Sequence, residues 1–419
     1  MNWTAAKIRV EWFLTDLAGR KISRDTPADA VNALKVIRRD LALGAAGADI
    51  GPPESNLVLI VDLTFPDPTK DSGSDRIIRL AKMAHDLGHP TVLASITHRH
   101  WTAISSAEPD DLRVTRDAER FTDEQFWNWI RDASVIWLSR PDVAGRLLPV
   151  LADHVESRRI IFDTVDLYHV RLKRKAALTH DRTDRRAARA YKRLERSAVK
   201  AADTTLVVTN VERSAIHDLV GSSSVQVIPN VHETRSERVP PRSGRRGLVF
   251  YGSYRHAPNV DAVRHLYSTI MPAIWKQIPD LELTVVGDRL PEDLASPPDP
   301  RIHAIGWVED LHPIVDSSLA LVAPLRFGAG LKGKIGFAMA NGLPVITTSV
   351  GAEGMEVIDG ATCLIGSDDE DLVRKCINLF GDDDLWSTLS RAGIASIEST
   401  LSADAVRPLL GAVLDGHAH

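Results

Sequence analysis

The chain has 419 residues, of which 44% are apolar and 26% charged. It is longer than the about 250–300 residues one core usually supports, and its composition excludes disorder throughout, collagen-like repeats and a small disulfide scaffold. The 51 basic and 56 acidic residues give a net charge of −5, which excludes a surface built to coat nucleic acid. Cys363 and Cys376 form neither a CxxC pair nor a zinc set and fit a reducing cytosol. Charges interrupt the N-terminus too often for a signal peptide, and no apolar run approaches the about 20 residues of a membrane span, so a cytoplasmic protein is expected.

Residues 1–55 read as a helical extension, with Thr26 as an N-cap and Pro27 at the first position of its second helix. From residue 56 the rhythm changes. The runs 57–63, 91–96, 134–139, 159–165 and 204–209 are continuous, apolar and rich in β-branched residues, as strands covered on both faces are. Segments of helical spacing separate them, which predicts a parallel sheet flanked by helices over 56–232. Residues 233–246 are polar, charged and proline-containing and read as a linker. A second series follows over 247–419, with strands at 247–252, 281–287, 301–306, 318–325 and 344–349 and helices over the last sixty residues. A ligand is expected at the carboxyl ends of the strands and between the halves.

The richest segment is LRFGAGLKGKIGFAMANGLPVITTSVGAEGM, residues 325–355. A strand ends near Leu325, a loop with Gly328, Gly330 and Gly333 follows, and a helix runs to about Asn341. Glycines let the backbone approach an anion, the helix start supplies N–H groups, and Lys332 and Lys334 add charge, so the segment reads as a diphosphate site. The spacing also matches a dinucleotide fingerprint, with Glu353 twenty residues after Gly333. That fingerprint opens the first βαβ unit of its domain, whereas here it follows the fourth strand of a half. A glycine-rich turn with solvated lysines is the plainer alternative.

Taken with other segments, the pattern resembles the family 4 glycosyltransferases, a bacterial subgroup of them in particular. DSGSDR (71–76), SRPDVA (139–144), FDTVDLYHVR (162–171), VIPNVHE (227–233) and FYGSYRHAPNVDAVRHL (250–266) stand in that family's order, and the resemblance covers roughly residues 56–400. It implies the GT-B fold: two Rossmann-like doubly wound α/β domains facing each other across a cleft, here with an N-terminal helical extension. It implies a retaining transferase that moves a sugar from a nucleotide-diphosphate donor to a glycan, lipid-linked or other glycoconjugate acceptor. No cofactor and no metal are implied, the nucleotide sugar being a co-substrate.

On this resemblance Arg255 and Lys334 would neutralise the leaving diphosphate, and Asp166 would assist the acceptor as a base. Donor contacts would come from Gly73 and Ser74 of DSGSDR, from Gly252, Ser253, Gly287, Asp288, Gly306 and Trp307 after successive strands, and from Gly328, Ala329, Gly330, Leu331, Lys332 and Glu353. Arg140, Asp163, His169 and Arg171 would serve the acceptor side. An ordinary N-cap also explains DSGSDR, a solvated arginine Arg255, and a structural ion pair Arg140. The chain departs from the wider family at two positions: Ala329 and Phe337 stand where that family carries glutamates for the sugar and the ribose. The subgroup also places His directly after DL, where this chain has Tyr168.

His98 and His100 lack a nearby cysteine or carboxylate and read as a loop or strand-end pair rather than metal ligands. Residues 171–196 hold eleven Lys and Arg against three acids, a local charge of +8. Such a patch suits anionic lipid on the inner face of a membrane, a polyprenyl-diphosphate acceptor, or simply a solvated helix. Interleaved aromatics for nucleic acid are missing. Residues 1–55 could hold a protein partner. Two rival functions remain: a nucleotide-sugar 2-epimerase, and a silent GT-B subunit that positions an active partner.

Overall fold

The computed structural model describes residues 52–68, 72–97, 99–104, 118–151, 158–221 and 223–416. The helices expected within residues 1–50 lie outside the described residues, as do Asp71 and His98.

The apolar runs form strands where the sequence places them. In the first unit these are Leu57–Asp62 (β1), Thr91–Ser95 (β2), Ala133–Ser139 (β5), Arg159–Asp163 (β6) and Thr204–Val207 (β7); His100–Ala103 (β3), Glu119–Arg120 (β4) and Val225–Val227 (β8) complete the sheet. Its order is β4-β3-β2-β1-β5-β6-β7-β8. All six residues of β1 are buried, because helices cover both faces and parallel neighbours β2 and β5 cover both edges. The expected all-parallel sheet needs one correction. β3 pairs antiparallel to β2, and β4 antiparallel to β3. Only four residues separate β2 from β3, too few for a crossover helix, so the chain can only turn back.

The helices Ser72–Asp86, Pro141–Leu151 and Arg182–Ala201 bury apolar faces against this sheet. Leu59, Ile136, Leu138 and Phe162 are fully buried in its core, each contributing about 1.5–3 kcal/mol by leaving water. The helix Asp123–Asp132 starts on a capping box in which Thr122 and Gln125 satisfy each other's backbone N–H.

The second unit is a six-stranded, wholly parallel sheet of Leu248–Tyr251 (β9), Leu283–Val286 (β10), Ile302–Gly306 (β11), Ala320–Ala323 (β12), Val345–Thr348 (β13) and Leu364–Gly366 (β14). The order is β11-β10-β9-β12-β13-β14. Each unit is therefore doubly wound, the pairing of α/β units that defines the GT-B fold. The order reverses between β1 and β5 in the first unit and between β9 and β12 in the second. The strand ends beside such a reversal open a crevice in which ligands of open α/β sheets bind.

The grouping of the chain differs from the expected boundaries in two places. The first unit runs through Ile228 and takes back the chain from Arg407; the second runs from Pro229 to Val406. The returning segment is fastened by Arg159, which donates to the carbonyls of Leu414, at 2.9 Å, and Val413. The segment 233–246, expected as a linker, lies in the second unit. Arg245 ties it there by donating to the carbonyls of Val315 at 2.8 Å and Ser318 at 3.1 Å.

Candidate functional site

In the second unit the chain leaves β9 at Gly252 and β10 at Gly287, and these two turns nearly touch. A Cβ on Gly287 would sit 1.9 Å from the Gly252 carbonyl oxygen, and Gly287 holds φ +146°, so only glycine fits. Gly287 donates to the Gly306 carbonyl at 2.7 Å, which ties the end of β11 to the same place. The close approach brings Ser253, Asp288 and Arg255 together. Ser253 Oγ donates to Asp288 Oδ1 at 2.8 Å, and Arg255 pairs with Asp288 Oδ2 through Nε at 3.2 Å and a terminal nitrogen at 3.1 Å.

Across the reversal, β12 leads into the glycine loop and the helix Gly333–Ala340, with Lys332 at its N-cap. Lys334 Nζ donates to Asn259 Oδ1 at 2.6 Å and lies 5.2 Å from the Phe250 ring centroid. Asn259 in turn donates to the Ser253 carbonyl at 2.7 Å. Lys334, Asn259, Ser253, Asp288 and Arg255 thus form one continuous polar chain spanning the β9–β12 switch. Lys332 is buried and donates to the Gly330 carbonyl at 2.5 Å, and its stem is the nearest neighbour of Gly328.

Lys334 and Arg255 stand at the two ends of this polar chain, Arg255 paired with Asp288 and Lys332 two residues before Lys334. Burial, then the neighbouring charge of Lys332, pushes Lys334 down to about 7. An ammonium so placed gains more from an arriving phosphate than a solvated one would.

Of the remaining donor candidates, Gly328, Gly330 and Leu331 are buried and Ala329 half-buried, so the loop offers backbone rather than side chains. Trp307 is 51% exposed beyond β11, and Glu353 follows the short helix Ser349–Ala352 after β13, with β10, β9 and β12 lying between those two strands. Phe337 packs edge-on to Tyr251, centroids 5.9 Å apart, and 5.3 Å from the ring of His312. That position is part of an aromatic cluster and offers nothing to a ribose diol.

In the first unit a second group collects at the β1–β5 switch. Arg140, just past β5, holds φ +79° and donates through Nε to Asp62, the last residue of β1, at 2.9 Å. Its backbone N–H donates to the Asp163 carbonyl at 2.8 Å, which couples the ends of β5 and β6. After β6, Asp166 N–H closes back on the Thr164 carbonyl at 2.7 Å with Val165 at φ +60°. A β-branched residue in that region is strained, and the surroundings must impose it. They do so through buried carboxylates. Glu212 accepts from Leu167 N–H at 3.1 Å, and Glu195 accepts from Tyr168 N–H at 2.7 Å and bonds His169 Nδ1. Burial raises Glu195 despite His169, and raises Tyr168.

Asp166 pairs with Arg171 at 2.6 Å, and the Arg171 guanidinium lies 4.3 Å above the Tyr168 ring. Burial alone would lower Arg171, but Asp166 and Tyr168 outweigh it and hold it up. Tyr191 stacks obliquely on Tyr168 at 5.1 Å and donates to Asp142 at 3.0 Å. Gly73 and Ser74 lie in the first turn of Ser72–Asp86, with the Ser74 side chain buried, so that turn too offers backbone N–H groups. His100 opens β3 and stands edge-on to Phe65.

Asp163 departs from its expected role. It is 0% exposed, and its Oδ2 is taken by Arg76 at 2.5 Å and Trp137 Nε1 at 3.2 Å. Its Oδ1 accepts from Val165 N–H. It braces the loop after β6 and cannot reach a sugar hydroxyl.

Two residues of these groups escape sequence reasoning. Asn259 sits seven residues past Gly252 in the first turn of the helix Ala257–His265, an unremarked position that links Lys334 to Ser253. Arg76 is the last residue of DSGSDR, and its burial, 1% exposed, is what makes that motif structural.

Comparison with known proteins agrees with this geometry. Residues 245–382, about a third of the chain, match the family model of the glycosyl transferases group 1. That stretch holds every residue of the Lys334 chain. The solved structure of sucrose-phosphate synthase from Thermosynechococcus elongatus is similar, with a TM-score of 0.67, 15% identity, and 86% of this chain and 99% of that one covered. HepE from Anabaena, solved with UDP-glucose, is similar at a TM-score of 0.61 and 13% identity, over 86% of this chain and 99% of that one. Both likenesses show the GT-B fold. An uncharacterized 44.6 kDa protein of the cps region of Klebsiella pneumoniae is 26% identical over 149 residues. That match covers 31% of this chain and spans 36% of the relative's own length.

Proposed function

We propose that the chain is a retaining, metal-independent glycosyltransferase of the family 4 type. It moves a sugar, a hexose on this reading, from a nucleoside-diphosphate donor to a glycan or lipid-linked acceptor, in the building of a surface polysaccharide. The observation that carries this reading is the polar chain from Lys334 to Arg255 at the second switch point, within the stretch that matches the glycosyl transferases group 1. HepE, solved with UDP-glucose, supports a nucleotide sugar as the ligand.

In this reading Lys334, Lys332 and Arg255 stabilise the diphosphate as the glycosidic bond breaks. The groups that stabilise charge in the transition state are thus already oriented by Asn259 and Asp288. The backbone of 328–331 and the turns at Gly252, Gly287 and Gly306 hold the donor, and Trp307 and Glu353 flank it. Asp166, paired with Arg171, is the acceptor-side carboxylate; Arg140 and His169 complete that side. In a front-face reaction the departing phosphate oxygen takes the acceptor proton, which leaves Asp166 to orient the hydroxyl.

A second reading, a silent subunit that positions an active transferase, is favoured by Phe337, an aromatic where the wider family carries a carboxylate. A thermal-shift panel with UDP, GDP, dTDP, ADP and CMP separates the two. At a hundred times its Kd a ligand stabilises by about 2.7 kcal/mol, a readily visible shift. One nucleotide standing out with the parent and failing with Lys334→Ala supports the transferase. A flat panel supports the silent subunit.

A further inference from the structure

The helix Arg182–Ala201 carries eight cations: Arg182, Arg185, Arg186, Arg189, Lys192, Arg193, Arg196 and Lys200. All eight are exposed. At 3.6 residues per turn they fall within about a third of the helix circumference, along about 27 Å of its length. The helix's two acids, Asp184 and Glu195, fall on the opposite side. Asp184 is paired with Lys175 of the preceding helix at 3.0 Å, and Glu195 is buried beneath the first turn of that helix, bonded to Tyr168 and His169. The outer face is therefore an unbroken positive ridge on a chain whose net charge is −5.

We infer that this ridge docks the protein on a membrane leaflet rich in anionic lipid. A straight row of cations with no acid in it meets a flat sheet of negative headgroups along its whole length, each Lys or Arg adding to the attraction within a Debye length. Stacking groups for single-stranded nucleic acid are missing from the ridge, since its one aromatic, Tyr191, is half-buried and bonded to Asp142.

The inner face of the same helix gives the docking a consequence. Glu195 holds Tyr168 and His169, so the element that lies on the lipid is bonded directly to the first turn of the helix that carries Arg171 and follows the Asp166 loop. Docking would set that loop at a fixed height above the leaflet. The inference does not rest on sugar transfer, because it is read without any substrate.

The test is co-sedimentation of the full chain with vesicles of phosphatidylcholine alone and of phosphatidylcholine with 30% phosphatidylglycerol. The expected result is binding to the anionic vesicles only, lost by 0.5 M salt. The variant Arg182→Gln/Arg185→Gln/Arg189→Gln/Arg193→Gln should lower the partition coefficient at least about a hundredfold. Its thermal midpoint should match the parent's, since every changed residue is exposed. The inference is overturned if the parent ignores anionic vesicles, if the variant binds them as the parent does, or if a short oligonucleotide displaces the parent from them at equal phosphate concentration.

Discussion

Lys334 makes the affinity for a nucleoside diphosphate depend on pH in a way that can be worked out. Burial holds its ammonium at about 7 in the free protein, against 10.5 for an ordinary lysine. Only the charged form attracts the phosphates, and contact with them favours that form. Between pH 7.5 and pH 9.5 the charged fraction of a group titrating at 7 falls about 80-fold; with residual binding by the neutral amine, the apparent affinity should fall about 5- to 30-fold. The phosphate's own last ionisation lies near about 6 and is complete over this range. At pH 8 each binding event should take up about 0.6–0.9 proton, readable by calorimetry in buffers of different ionisation enthalpy. Lys334→Met should bind about 10- to 100-fold more weakly at pH 7, the worth of a charge-assisted hydrogen bond, and should lose both the pH slope and the proton uptake. The free protein should respond in the opposite sense. Its native lysine sheds its proton above about 7 while the unfolded one keeps it to 10.5, so stability should rise with pH across that window, and the variant should lack this rise. An affinity flat from pH 7.5 to 9.5 without proton uptake would refute the reasoning.

Three further outcomes follow from the packing. Arg76→Met strands the Asp163 carboxylate in the core and should cost about 3–5 kcal/mol in urea unfolding; a loss below 1 kcal/mol would show that Asp163 is not braced as described. Gly287→Ala drives a methyl into the Gly252 carbonyl and should cost about 3 kcal/mol and abolish nucleotide binding, whereas Gly244→Ala, with open space around it, should stay within about 0.5 kcal/mol. Equal effects of the two would contradict the close approach of the β9 and β10 turns. Glu195→Gln keeps an acceptor for Tyr168 N–H, while Glu195→Ala orphans it and should cost about 1–3 kcal/mol more. Because burial raises Glu195, the native state holds its proton to higher pH than the unfolded state does. The parent should therefore lose stability as pH rises from 4.5 through the raised value, a slope the glutamine variant should not show.

The strands that organise both units are readable because burial on two faces leaves an unbroken apolar run. LVLIVD and TVLAS declare themselves, and so do the ends of β9 and β10, where Gly252 and Gly287 replace the run. The antiparallel edge does not. β3 is four residues, HWTA, half in solvent, and β4 is two exposed charges, so neither carries a periodic signal. The same division holds at the candidate site. Gly328, Gly330, Lys332 and Lys334 lie within seven residues, so the proposed anion site is legible from local spacing alone. Asn259 reaches Lys334 across 75 residues and Arg76 reaches Asp163 across 87, and no local pattern encodes such pairs. Asp163 departs from its expected role for the same reason: its carboxylate type suits a sugar contact, but the partner that buries it is far away in sequence.

The central claim is that a nucleoside diphosphate rests its phosphates on the chain from Lys334 to Arg255. A crystal structure with the nucleotide chosen by the thermal-shift panel tests it most directly. The account predicts phosphate oxygens within hydrogen-bond distance of Lys334 Nζ and the Arg255 guanidinium, above the turn at Gly252. Phosphates bound elsewhere, with the Lys334–Asn259 bond undisturbed, would contradict it.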